Sequence, residues 1–101
     1  VNSRMLFMLL GRDRPNSMER RAAVRPAHLT RIQALVDSGR LVVAGPLPAS
    51  DRADETLVTG SLIVAEFASL AAAREWFEAD PYATEGVFET LTVEPFRRVS
   101  P

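Results

Sequence analysis

The sequence has no cysteine and no lysine, and only one histidine, one tryptophan and one tyrosine in 101 residues. Without cysteine there is no disulfide framework, no thiolate nucleophile and no cysteine-ligated metal or cluster. One histidine cannot build a His-rich metal site within one chain, and no acidic run has EF-hand spacing. Neither a metal nor a cofactor is therefore expected. Gly11, Gly39, Gly45, Gly60 and Gly86 are scattered and form no Gly-x-Gly-x-x-Gly, so a phosphate-cradling loop is missing. The apolar run near the start, Met5–Leu10, is far too short to cross a bilayer. Gly11-Arg12-Asp13-Arg14 follows it, which is no signal-peptide cleavage site. A cytoplasmic protein without membrane contact is the simplest expectation. Net charge is −1, so no overall field draws the chain to nucleic acid. The nearest basic patch, Arg20, Arg21 and Arg25 beside Glu19, lacks the interleaved aromatics of an RNA-binding sheet. All twelve basic residues are arginine, read as compositional bias, although arginine suits carboxylate recognition.

What is present is ordinary for a globular protein: 47% hydrophobic and 25% charged residues. The length fits a single domain over residues 1–101, with residues 1–4 read as a tail or an expression remnant. Met5–Leu10 reads as a strand, apolar on both faces. Gly11–Asn16 reads as a loop, and Ser17 as the cap of a helix running towards Ser38. That helix is expected to break or restart at Pro26, since the residue before proline is biased away from helix. Leu29, Ile32, Leu35 and Val36 form its core face, and Gly39 ends it. Leu41–Ala44 is the second strand, stopped by Gly45-Pro46, and Leu47–Thr59 a long surface loop. Ser61–Phe67 is the third strand. Ser69 caps a second helix to Ala79 whose stripe is Leu70, Ala73, Trp76 and Phe77. Asp80-Pro81 starts a short turn, and Val87–Phe96 contains the fourth strand.

The order β-α-β-β-α-β is the ferredoxin-like arrangement, an α+β fold with a four-stranded antiparallel sheet and both helices on one face. The other face would expose parts of Met5–Leu10 and Ser61–Phe67, more apolar surface than monomers usually leave open. A second copy covering it, in a symmetric homodimer or a higher oligomer, is the expectation; long loops folded over the sheet are the alternative.

His28 is the one side chain whose unperturbed pKa suits proton transfer near neutral pH. With Pro26 opening a helix, His28 falls in the first turn, where the helix dipole favours a neutral imidazole able to accept a proton. The plain alternative is a packed or surface histidine.

The run Arg25-Pro26-Ala27-His28-Leu29, then Gly39-Arg40-Leu41, Ala44-Gly45-Pro46, Thr59-Gly60-Ser61, Glu66-Phe67, Asp80-Pro81-Tyr82 and Val93-Glu94-Pro95-Phe96 resembles the YciI-like family, also called YCII-related. The resemblance covers Met5 to Val99. It implies a ferredoxin-like fold that dimerises into an α+β barrel, with a His–Asp pair in a pocket, here His28 and Asp80. Most members of that family have no assigned activity. One branch eliminates chloride from a chlorinated hydroxyhydroquinone, and structural relatives include muconolactone isomerases and small monooxygenases.

Each residue also has a plainer role. Asp before Pro is a favoured helix N-cap pair, so Asp80 could be only a cap. Arg25 could hold an anionic group of a substrate, or pair with Glu19 or Glu85. Ser61 could donate a hydrogen bond into a pocket; with no Gly-x-Ser-x-Gly around it, it is no nucleophile. Gly45 could let a ligand approach the backbone, or simply shape a strand end. Tyr82 lines the pocket or packs beneath it. Two functions remain open. One is a small cofactor-independent lyase, dehydrochlorinase or isomerase using His28 and Asp80 on an aromatic or unsaturated metabolite. The other is a non-catalytic dimeric module that binds a small ligand in the same pocket.

Overall fold

The computed structural model describes residues 5–101; the expectation for residues 1–4 lies outside them. Strand β1 spans Met5–Asp13, helix α1 Met18–Asp37, β2 Leu41–Pro48, β3 Val58–Phe67, α2 Leu70–Glu78, α3 Pro81–Thr84 and β4 Phe88–Phe96. The sheet order is β2-β3-β1-β4 and every pairing is antiparallel. This is the ferredoxin-like α+β fold expected from the sequence.

Alternation along the strands assigns the two faces. Phe7, Leu9, Ile63, Ala65, Phe67 and Val93 point to one side and form a single buried core with Leu35, Ala73, Phe77 and Tyr82. Leu6, Met8, Leu10, Leu62 and Val64 point to the other. Val64 is buried among its sheet neighbours, yet it is no part of that core. Val43 and Phe96, paired with Val64 and Leu6, extend this second face to both sheet edges, where they are 52% and 43% exposed.

Strands β1, β2 and β3 run longer than the sequence indicated, β3 starting at Val58 rather than Ser61, and α1 lacks the expected break. β1 continues through Gly11 to Asp13 because Gly11 lets the Phe88 ring lie across it; a Cβ there would meet the ring carbons at 2.5 Å. β2 does not stop at Gly45-Pro46 but continues to Pro48. It is an edge strand, where a residue without an N–H costs no ladder bond on its open side. The connecting loop shrinks accordingly to residues 49–57. α1 runs unbroken through Pro26, which is exposed. Ala22, whose carbonyl loses its donor there, is exposed too, so water can satisfy it.

The ends of the helices are set locally. Ser17 is buried but makes no side-chain cap, contrary to expectation. Gly39, at φ +70°, closes α1: its N–H bonds to the Val36 carbonyl at 3.0 Å and the Arg40 N–H to the Leu35 carbonyl at 2.9 Å, a Schellman ending. Ser69 caps α2 by accepting from the Ala72 N–H at 3.0 Å. Leu29 and Val36, read as core positions, are 42% and 47% exposed. Leu35 is buried in the core as expected, with Ile32 packed against it, and the other buried residues of α1 are Arg21 and His28, the three spaced by seven.

Candidate active site

The continuity of α1 changes the setting of His28. It sits mid-helix, ten residues into α1, so the expected helix-end effect does not reach it. It faces the short helix α3. Asp80, the N-cap of α3, is fully buried. Its Oδ2 accepts from the Tyr82 backbone N–H at 3.0 Å and lies 2.9 Å from His28 Nδ1. Its Oδ1 accepts from Arg31 Nη1 at 3.0 Å. Capping and pairing thus coexist in one carboxylate. A carboxylate only accepts, so His28 presents Nδ1–H to it and keeps Nε2 as the basic nitrogen. Arg31 stands one turn beyond His28 and lies 4.2 Å from the centroid of the Trp76 ring, which steadies it.

Tyr82 follows from the same α3 turn. Its ring stacks on His28 with centroids 4.0 Å apart and an angle of 17°. The Arg21 guanidinium lies 4.4 Å from the same centroid. Arg21 and His28 are two helical turns apart on one face, so the Tyr82 ring fits between them. Burial pushes the Tyr82 phenol above its ordinary value of 10.0, with the Arg21 charge pulling the other way, so the ring stays a neutral phenol near pH 7. Arg21 is itself buried. Nε donates to Asp13 Oδ2 and Nη2 to Asp13 Oδ1, both at 2.9 Å, and Nη2 also donates to Ser61 Oγ at 3.0 Å.

Arg21, His28, Ser61 and Tyr82 line a cavity of about 380 Å³ between the first half of α1, strands β2 and β3 and the end of the 49–57 loop. That size suits a single-ring molecule. The structure brings His28, Arg25, Gly45, Ser61 and Tyr82 into its lining, with Asp80 directly behind His28. Arg25 is exposed at the rim and forms no ion pair with Glu19 or Glu85. Gly45 lies in mid-strand rather than at a strand end, and a Cβ there would meet nothing within 4 Å. Leu29, Ile32, Ile63 and Met18 supply apolar walls. Sequence reasoning missed Asp13, Arg21 and Arg31. The spacing of seven between Arg21 and His28 was the available signal. Among the described residues no three His, Asp or Glu side chains stand together as metal ligands. None of the described helices is long and apolar enough to cross a membrane.

The model of the YCII-related domain matches residues 5–97. The chain belongs to the YCII-related family. Protein YciI of Escherichia coli is 50% identical over 97 residues, covering 94% of this chain and 99% of that protein. An uncharacterized protein of Haemophilus influenzae is 41% identical over the same shares. Among solved structures, 5-chloro-2-hydroxyhydroquinone dehydrochlorinase from Burkholderia phenoliruptrix, in complex with 2,5-dihydroxybenzoquinone, is 32% identical. It superposes with a TM-score of 0.80 over 92% of this chain and 94% of that one.

Proposed function

We propose that this YCII-related protein is a small cofactor-independent enzyme in which His28 moves a proton on a cyclic, unsaturated metabolite and Asp80 orients it. The observation that carries this reading is the buried His28–Asp80 pair, 2.9 Å between Nδ1 and Oδ2, in the wall of a ring-sized cavity. A carboxylate on Nδ1 fixes the tautomer, aims Nε2 at the ligand and stabilises the imidazolium once the proton arrives. The likeness to a dehydrochlorinase supports an elimination or isomerisation on a hydroxylated ring. Arg25, Gly45, Ser61 and Tyr82 are the substrate-contacting residues in this reading. The protein works as a homodimer, joined through the apolar sheet face of Leu6, Met8, Leu62 and Val64. A ligand-binding module with the same pocket is the competing reading.

Incubation with 5-chloro-2-hydroxyhydroquinone, reading chloride release, and with a panel of hydroxyquinones in D2O, reading hydrogen exchange at carbon, separates the two. The expected result is turnover that falls by about a hundredfold or more in His28→Ala while the circular dichroism spectrum is kept. Ring compounds bound but never converted, or a His28→Ala variant as active as wild type, would overturn the enzyme reading.

A further inference from the structure

The cavity contains a second buried polar group that the His28–Asp80 pair does not use. Arg21 is 6% exposed, and a guanidinium so placed must be partnered. Asp13 holds it in bidentate fashion through Nε and Nη2, which fixes the plane of the guanidinium. That leaves the Nη1 edge turned away from Asp13. Ser61 Oγ accepts from Nη2, so the Ser61 hydroxyl proton is available as a donor in another direction. Arg21 and Ser61 both line the cavity, on the far side of the Tyr82 ring from His28. Charge points the same way. Asp13 balances Arg21 and Arg31 balances Asp80, while Arg25 at the rim has no carboxylate partner among the described residues. The pocket therefore favours an anion.

We infer that Arg21 and Ser61, held in place by Asp13, form an oxyanion seat, and that the substrate is a planar enolisable carbonyl compound or its enolate. Its oxygen lies against Arg21 and Ser61 while an acidic C–H faces His28 Nε2. The inference rests on the proposed role of His28 as the base. Nε2 takes the proton from the carbon next to the carbonyl. The C–H pair becomes a C=C bond, and the carbonyl π pair moves onto oxygen, where the two donors receive it. Return of the proton from the imidazolium to a different carbon gives an isomer. Alternatively the enolate re-forms its carbonyl and expels a leaving group with its bonding pair from the β carbon. The products are then an unsaturated carbonyl compound and an anion, and the imidazolium passes its proton to water. A fixed donor pair offered to developing charge lowers the barrier without reorganising.

The test is an absorbance titration with 2,5-dihydroxybenzoquinone, an anion at neutral pH, alongside a neutral ring of similar size, 1,4-dimethoxybenzene, followed by NMR. Ser61→Ala is the variant least disturbing to the fold, and Arg21→Lys keeps the charge while losing the fork. Each is expected to weaken the quinone about ten- to hundredfold, with dimethoxybenzene affinity unchanged. Equal loss for both probes would make Arg21 a purely structural residue and overturn the seat. So would unchanged quinone binding in both variants, although the His28 reading would survive that result. Failure of wild type to bind either ring would remove the pocket reading and the seat together.

Discussion

At the scale of single residues, the site is a chain of paired charges set into an otherwise apolar face. Asp80 is the hub: one oxygen serves Arg31, the other His28 and the cap of α3. Arg31→Met removes one of the three donors to a fully buried carboxylate. The expected cost is about 2 kcal/mol of stability, read as a lower urea midpoint at constant slope. His28 and Asp80 were legible because a lone histidine and an Asp-Pro pair stand out in the chain. Arg21 was not. Its neighbours Arg20 and Arg25 are exposed, and only the spacing of seven from His28 sets the buried arginine apart from those two solvated ones. Its partner Asp13 was read as loop, so the pair that makes burial possible was out of view. Leu29 and Val36 misled for the converse reason. The helix face opposite α3 carries Arg21 and His28, so the apolar periodicity pointed to residues that face the pocket rim or solvent.

At the scale of elements, strand lengths and helix continuity escaped prediction because glycine and proline act by context. Pro26 stays in α1 because it lies on the wet side, and Pro46 stays in β2 because that strand is an edge. Gly60 is a packing requirement. A Cβ there would collide with the Gly11 carbonyl oxygen across the β1–β3 pair, a backbone atom that cannot step aside. Gly60→Ala is expected to lose about 2–4 kcal/mol in chemical denaturation. The 49–57 loop is closed by Glu55, whose carboxylate accepts from Ser50 Oγ at 2.6 Å and the Leu57 N–H at 2.9 Å. The Ser50 bond first, and then the Leu57 N–H, hold its pKa below the ordinary 4.5. A lowered folded value means the bond is fully made above pH 4.5 and is lost as pH falls through that lower value. The Leu57 amide resonance is therefore expected to titrate with a midpoint below 4.5; a midpoint at or above it contradicts this picture. Because Thr56 and Val58 line the cavity, the same bonds shape its rim.

At the scale of the molecule, the element order and the two-sided apolar strands already gave the fold class. What remained illegible was which apolar residues go inward, because β1 and β3 are apolar on both faces. The inward set forms the core, and the outward set is the surface proposed to join two copies. Val43 and Phe96 sit on that surface, exposed in the single chain, so changing them should leave the subunit fold intact. The double variant Val43→Glu, Phe96→Glu is expected to raise the dimer dissociation constant at least tenfold in sedimentation equilibrium, about 1.4 kcal/mol or more. Wild type sedimenting as a monomer would refute the dimer.

The central claim is that Asp80 accepts the Nδ1–H of His28 and leaves Nε2 free to take a proton. The direct measurement is long-range 1H–15N NMR of the imidazole at a pH where it is neutral, in wild type and in Asp80→Asn. With one histidine in the chain the signals need no assignment. The account predicts a protonated Nδ1 and an unprotonated Nε2 in wild type, with the tautomer balance shifting towards Nε2–H once the carboxylate is gone. An Nε2–H tautomer in wild type, or identical spectra for the two proteins, would contradict it.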